Sequence, residues 1–236
     1  MKKIVISLLL IASSCVAEYY SQVGQDKFVN EHYFKNMRNG TFVEIGAYNG
    51  VCFSNSYFFE KELGWKGLCI EPVPRIFADL KAARNCTCIQ AAMAGTEGMM
   101  QFVDIAKLEE LSGLKKFFDE EPHRWKVVNL YLATTPGSYY TIIDIPVITF
   151  NKTMDEHGIT RVDYLSIDTE GSELDIIKSI DFDHIPIFVI SVENNENTTD
   201  VQKILESKGF TFITKFGGFD DLYVNFANAP LQLGEK

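Results

Sequence analysis

The chain has 236 residues, 46% hydrophobic and 23% charged, with 22 Lys+Arg against 32 Asp+Glu and a net charge of −10. This balance excludes a disordered polymer, a collagen-like repeat and a polytopic membrane protein, and leaves one folded domain large enough to bury a core. Such an acidic surface repels phosphate backbones, so no nucleic-acid partner is expected.

Residues 1–17, MKKIVISLLLIASSCVA, read as a secretory signal peptide: Lys2 and Lys3 lead an uncharged apolar stretch that ends in small residues. The stretch is shorter than the ~20 residues of a comfortable membrane span. Ala12-Ser13-Ser14-Cys15 is a loose lipobox. Lipidation at Cys15 and retention as an uncut anchor are therefore the variants, and this segment is the sole expected route to a membrane. The expected location is the secretory pathway or cell envelope. Cleavage removes Lys2 and Lys3 and moves the charge from −10 to −12. Cys52, Cys69, Cys86 and Cys88 remain. An even count in an oxidising compartment permits disulfides, with the pairing open.

Residues 18–236 read as a single domain. A helix is expected over 21–34, a short strand at 41–45, a helix over 54–62 and a strand at 67–71 stopped by Pro72 and Pro74. A helix follows at 75–84, a third strand at 88–93 and an extended excursion at 98–105. Residues of about 106–141 form an irregular insertion, where a lid or substrate-recognition element is expected. Strands at 142–149, 164–167 and 187–192 and helices at 153–157, 170–179 and 199–208 come next. Segments 210–214 and 222–226, around Gly217-Gly218, read as a closing antiparallel pair. Apolar runs alternating with amphipathic stretches give an α/β fold with a mainly parallel seven-stranded sheet, whose ligands bind outside the strands' carboxyl ends.

The chemistry-bearing motifs fall at those ends. Phe42 to Gly50 reads FVEIGAYNG, a strand entering a turn with glycines at 46 and 50. Gly46 lets a backbone approach a ligand closely. A nicotinamide fingerprint would need GxGxxG; here Glu44 precedes the turn, which suits a cationic or hydroxyl-bearing ligand. Glu71 ends the next strand and can accept both hydroxyls of a ribose. Asp168, Glu170 and Glu173 crowd another strand end, where the ordinary alternative is capping of the following helix. Asp168, Glu193 and Asn194 would offer oxygen ligands to Mg²⁺ or Ca²⁺. Hydrogen bonding to substrate or loop backbone is the simpler expectation there, and a divalent metal is not expected. Of the four histidines only His123, in the insertion, is a candidate base.

These residues resemble the FkbM-type family of S-adenosylmethionine-dependent methyltransferases. The resemblance is carried by SQVGQDKFV at 21–29, FVEIGAYNG at 42–50, LCIEPVP at 68–74, IQAAMAG at 89–95 and VDYLSIDTEGSELDIIKSIDF at 162–182. It implies a class I, Rossmann-like sheet with a reversed final strand and helices on both faces. It also implies methyl transfer from S-adenosyl-L-methionine to a hydroxyl, less readily an amine, of a small-molecule or glycan acceptor. By the same resemblance Glu44, Gly46, Ala47 and Gly50 face the methionine part of the cofactor. Glu71 and Pro72 lie at the ribose and Ala91 near the adenine. Gln25 and Asp26 close over the cofactor, and Asp168 and Glu170, the catalytic candidates, border the acceptor side. A secreted, non-catalytic binding domain on the same scaffold is the alternative, because the donor is made in the cytosol while residues 1–17 direct export.

Overall fold

The computed structural model describes residues 18–195 and 197–233; the signal-peptide expectation for residues 1–17 lies outside them. The elements in chain order begin with α1 (Gln25–Val29), which runs on as a π-helical turn at Asn30–Phe34. They continue with β1 (Thr41–Ile45), α2 (Tyr57–Leu63), β2 (Lys66–Ile70), α3 (Pro74–Ala83), β3 (Thr87–Ile89), β4 (Ala92–Met93), β5 (Gly98–Ala106) and β6 (Gly113–Leu114). The insertion then supplies α4 (Lys115–Glu120) and α5 (Pro122–Thr134), followed by β7 (Tyr139–Ile148) and α6 (Phe150–Glu156). The last part holds β8 (Val162–Ile167), α7 (Glu173–Ser179), β9 (Ile187–Glu193), α8 (Asp200–Ser207), β10 (Thr211–Phe216) and β11 (Asp220–Val224).

Seven strands form the main sheet in the order β10-β11-β9-β8-β1-β2-β3. All neighbours are parallel except β11, which runs antiparallel to both β9 and β10. This is the class I methyltransferase arrangement, reversed strand included. Its central strands β1, β2, β8 and β9 are mostly apolar because both faces are covered, with Glu44, Asp163 and Ser166 among the buried polar exceptions. Along β1, Val43 and Ile45 pack on one side with Phe150, Met154, Ile176 and Leu205, while Phe42 packs on the other with Phe34, Phe58, Phe59 and Trp65. The two-residue period of a strand produces this division.

Four expectations change. The strand expected over 88–93 is two: Thr87–Ile89 belongs to the main sheet, and Ala92–Met93 joins a second sheet. That second sheet, in the order β4-β7-β5-β6, takes up the supposed excursion at 98–105, where β5 pairs with β7 along Gly98↔Val147 to Ala106↔Tyr139. The insertion is not irregular: α5 is a 13-residue helix started by Pro122. The helix expected from residue 170 begins at Glu173, which leaves 168–172 as a loop at the tip of β8.

No described helix is long and apolar enough to cross a membrane.

Candidate active site

The parallel register brings four strand tips together. Ile45 of β1 pairs with Ile70 of β2 and Ile167 of β8, and Ile167 pairs with Val192 of β9. Beyond the tips, the backbone N–H groups of Gly46 and Ala47 both donate to Ile70 O at 3.0 Å, and Asp168 N donates to Ile45 O at 3.0 Å. The first turn after β1 is thus tied to both neighbours. Over these tips opens a cavity of about 420 Å³, a size that suits a small-molecule ligand.

Its floor is Gly46, Ala47, Ile70 and Glu71; Pro72 and Ala91 flank it, and Asp168, Glu170 and Glu193 line the other end. Glu71 is 6% exposed. Its carboxylate accepts from Tyr48 N at 3.1 Å and Val73 N at 2.8 Å, so it braces the glycine turn as well as facing the cavity. Burial pushes it up to about 7 despite those two hydrogen bonds, so near neutrality it is divided between its protonated and ionised forms, and a ligand can shift that balance.

Glu44 also reaches the cavity wall, but its carboxylate is occupied. It accepts from Ser54 Oγ at 2.8 Å, Asn55 N at 2.6 Å and Ser56 Oγ at 2.6 Å, and pairs with Arg84 at 3.2 Å. Arg84, with no exposed side-chain surface, also pairs with Glu60, donates to Gly50 O at 3.1 Å and lies over the Phe42 ring. A buried acid needs such partners. Through them Glu44 fixes the 51–56 loop, whose Cys52, Phe53 and Ser54 wall the cavity.

Gln25, Asp26 and Gly50 lie off the cavity wall. Gln25 Nε2 donates to Asp220, and Asp26 accepts from Tyr20 N at 2.7 Å and Ser21 Oγ at 2.5 Å. Both therefore hold in place the segment whose Gln22 does line the cavity. Gly50 is needed for packing, since a Cβ there would come within 2.6 Å of Leu80.

At that other end, oxygens of Asp168, Glu170 and Glu193 lie within 4.8 Å of one another. The Asp168 side chain is exposed to the cavity it lines. Burial first, then the charges of Asp220 and Glu173, push it up to about 8. Burial and mutual repulsion also raise Glu170 and Glu193. The geometry would admit a cation, with Glu170 in place of Asn194. The Asn194 side chain is committed to Thr198, from whose N it accepts at 2.9 Å, and to Asp221. Glu173, the first residue of α7, ties down the loop before it: its carboxylate accepts from Thr169 N at 2.8 Å and Gly171 N at 2.9 Å, and no side chain caps the helix.

Sequence reasoning did not foresee the far wall: Phe102 of β5, Leu114 of β6, and Glu109, Glu110 and Ser112 between them. The insertion is tied to the strand tips there, because Arg124 of α5 donates to Glu170 O at 2.8 Å. Nor was the backbone foreseen. Tyr48, Phe53 and Glu170 have φ of 47°, 61° and 56°, left-handed values uncommon outside glycine, and all three line the cavity. Seven carboxylates line this space, from Glu44, Glu71, Glu109, Glu110, Asp168, Glu170 and Glu193, while no described Lys, Arg or His does.

A reversed seventh strand, an acid on the second strand tip and a glycine turn on the first define a methyltransferase of the α/β class. The chain belongs to the FkbM methyltransferase family: the model described as "Methyltransferase FkbM domain" matches residues 44–214. Among solved structures, the methyltransferase FkbM of Methylobacillus flagellatus KT is 13% identical at a TM-score of 0.47, over 84% of this chain and 50% of that one. The chain thus spans half the length of that protein. A precorrin-6y C5,15-methyltransferase of Geobacter metallireducens GS-15 is 13% identical over 80% of this chain and 82% of its own, TM-score 0.39. A methyltransferase of Pyrococcus furiosus is 12% identical over 88% and 86%, TM-score 0.39. No curated protein matches the chain.

Proposed function

We propose that the domain transfers the methyl group of S-adenosyl-L-methionine to a hydroxyl, less readily an amine, of a small-molecule or glycan acceptor. The observation that carries this reading is the acidic lining of the cavity: seven acidic side chains and no described cationic one line it. A sulfonium donor favours the ionised forms of those acids and is held by them, whereas an anionic ligand meets no cation there.

When bound, the donor supplies an electrophilic methyl with a neutral thioether as leaving group. The chain's own work is alignment and proton handling. Gly46 and Ala47 line the space for the amino-acid end, and Glu71 accepts the ribose hydroxyls. Asp168 faces the acceptor end with its carboxyl raised to about 8. In its ionised form it takes the proton of the attacking hydroxyl, a task for which a value near the working pH is effective. Glu170, tethered by Arg124, borders the same space. Export through residues 1–17 remains part of the proposal.

The test is transfer of a labelled methyl to a panel of sugars, lipids and small phenols, with Asp168→Asn in parallel. Donor binding should survive in the variant while turnover falls about 10²- to 10⁴-fold. Undiminished turnover would remove Asp168 as the base. Donor binding without transfer to any acceptor would favour the non-catalytic scaffold.

A further inference from the structure

Cys69 sits in β2, and its register partner in β3 is Cys88. Register partners on adjacent parallel strands project to the same face, and Cys86, two positions before Cys88, is brought towards that face as well. There the thiols of Cys69 and Cys86 lie 3.5 Å apart, while Cys88 Sγ turns to Cys86 O at 3.6 Å. Cys69 is buried and Cys86 half-buried.

We propose that Cys69 and Cys86 are an oxidisable dithiol, closing to an intramolecular disulfide when the chain folds in an oxidising compartment. Closure from 3.5 Å to a bond of about 2.05 Å needs a shift of roughly 1.5 Å. Cys86 can supply it, because it lies in the bend between α3 and β3 and not in a ladder. The oxidant is a small-molecule disulfide such as glutathione disulfide. The Cys86 thiolate attacks one of its sulfurs, forming a mixed disulfide and releasing one glutathione thiolate. The Cys69 thiolate then attacks Cys86 Sγ, forming the protein disulfide and releasing the second. The two thiol protons end on the two glutathione thiolates, so two electrons and two protons pass to the oxidant.

Burial pushes the Cys69 thiol well up, so it is a poor nucleophile once the sheet has closed. Exchange therefore belongs to folding, before Cys69 is sealed in. The bond would enclose the Glu71 tip, α3 and Arg84. It would clamp the segment carrying Arg84 directly beneath Glu44, whose carboxylate lies 3.9 Å from Cys69 Sγ. This inference is independent of the methyl-transfer reading.

The test is to refold the full chain in glutathione/glutathione-disulfide buffer and, separately, in reductant, then alkylate and digest without reduction. The oxidised sample should yield a linked Cys69–Cys86 peptide, two fewer alkylatable thiols and a Tm higher by about 5 °C or more. Cys88→Ser should keep the linked peptide and the Tm difference, and Cys86→Ser should lose both. Alkylation of Cys69 and Cys86 in the oxidised sample, or a linked peptide joining Cys69 to Cys88 instead, would overturn the proposal. Should Cys86→Ser fail to fold, the peptide map of the unaltered chain decides alone.

Discussion

A Cβ added to Gly46 would lie 1.6 Å from the carbonyl oxygen of Asp168. The tips of β1 and β8 thus touch backbone to backbone, and that contact sets the floor from which the Asp168 carboxylate rises. Gly46 also has φ of +81°. Space and conformation therefore both require glycine at the point where the strand turns.

Gly46→Ala should consequently separate the two tips. The expected outcome is a stability loss of at least ~2 kcal/mol in denaturant unfolding. Donor binding should be lost even at temperatures where the variant is folded.

Glu71 joins two tasks, bracing Tyr48 N and Val73 N and presenting an acid to the cavity. Glu71→Gln keeps the shape and one accepting oxygen but removes the charge. Donor affinity measured calorimetrically should fall about 10- to 100-fold, the cost of weakening hydrogen bonds to a charged acceptor. The fold should survive.

Arg84 neutralises Glu44 and Glu60 in a place water does not reach. Arg84→Met leaves both acids buried without their cation, at a cost of about 3–5 kcal/mol. Arg84→Lys should restore little, because a single ammonium cannot reproduce the fork that reaches Glu44, Glu60, Gly50 O and Ser56 at once. Urea unfolding of the three proteins checks this.

The raised carboxyls make stability depend on pH. Glu71, at about 7, and Asp168, at about 8, hold their protons more tightly folded than unfolded. Below about pH 4 both states are protonated and the stabilisation is complete. As pH rises through 7 and 8 the folded protein must ionise acids whose folded surroundings disfavour their charge, and stability is lost. Tm of the ligand-free chain should therefore fall between pH 5 and pH 8.5, and Asp168→Asn should flatten the fall. A sulfonium ligand favours the ionised forms, so its binding at pH 7 should release protons, seen as heats that vary with the buffer's ionisation enthalpy.

The central strands were legible because burial on both faces makes β1, β2, β8 and β9 near-continuous apolar runs. The strand-tip acids and Gly46 were legible because charge and glycine at such ends have few packing explanations. The second sheet was not. Met99, Tyr139, Tyr140 and Ile142 are exposed on β5 and β7, so neither strand shows a clean alternation. Helix α5 was hidden for a similar reason: Val127, Leu130 and Tyr131 face solvent while Val128 is buried, which blurs a one-sided apolar stripe. The bond of Glu44 to Arg84 spans 40 residues and exists only once β1 and α3 are packed. Glu44 therefore read as a cofactor contact, without the partners that occupy its carboxylate.

The most direct measurement is calorimetric titration of the purified chain with S-adenosyl-L-methionine, at pH 7 and again at pH 8.5. One molecule should bind per chain, with binding weakened by Glu71→Gln and abolished by Gly46→Ala. No heat at either pH from the folded chain would contradict it.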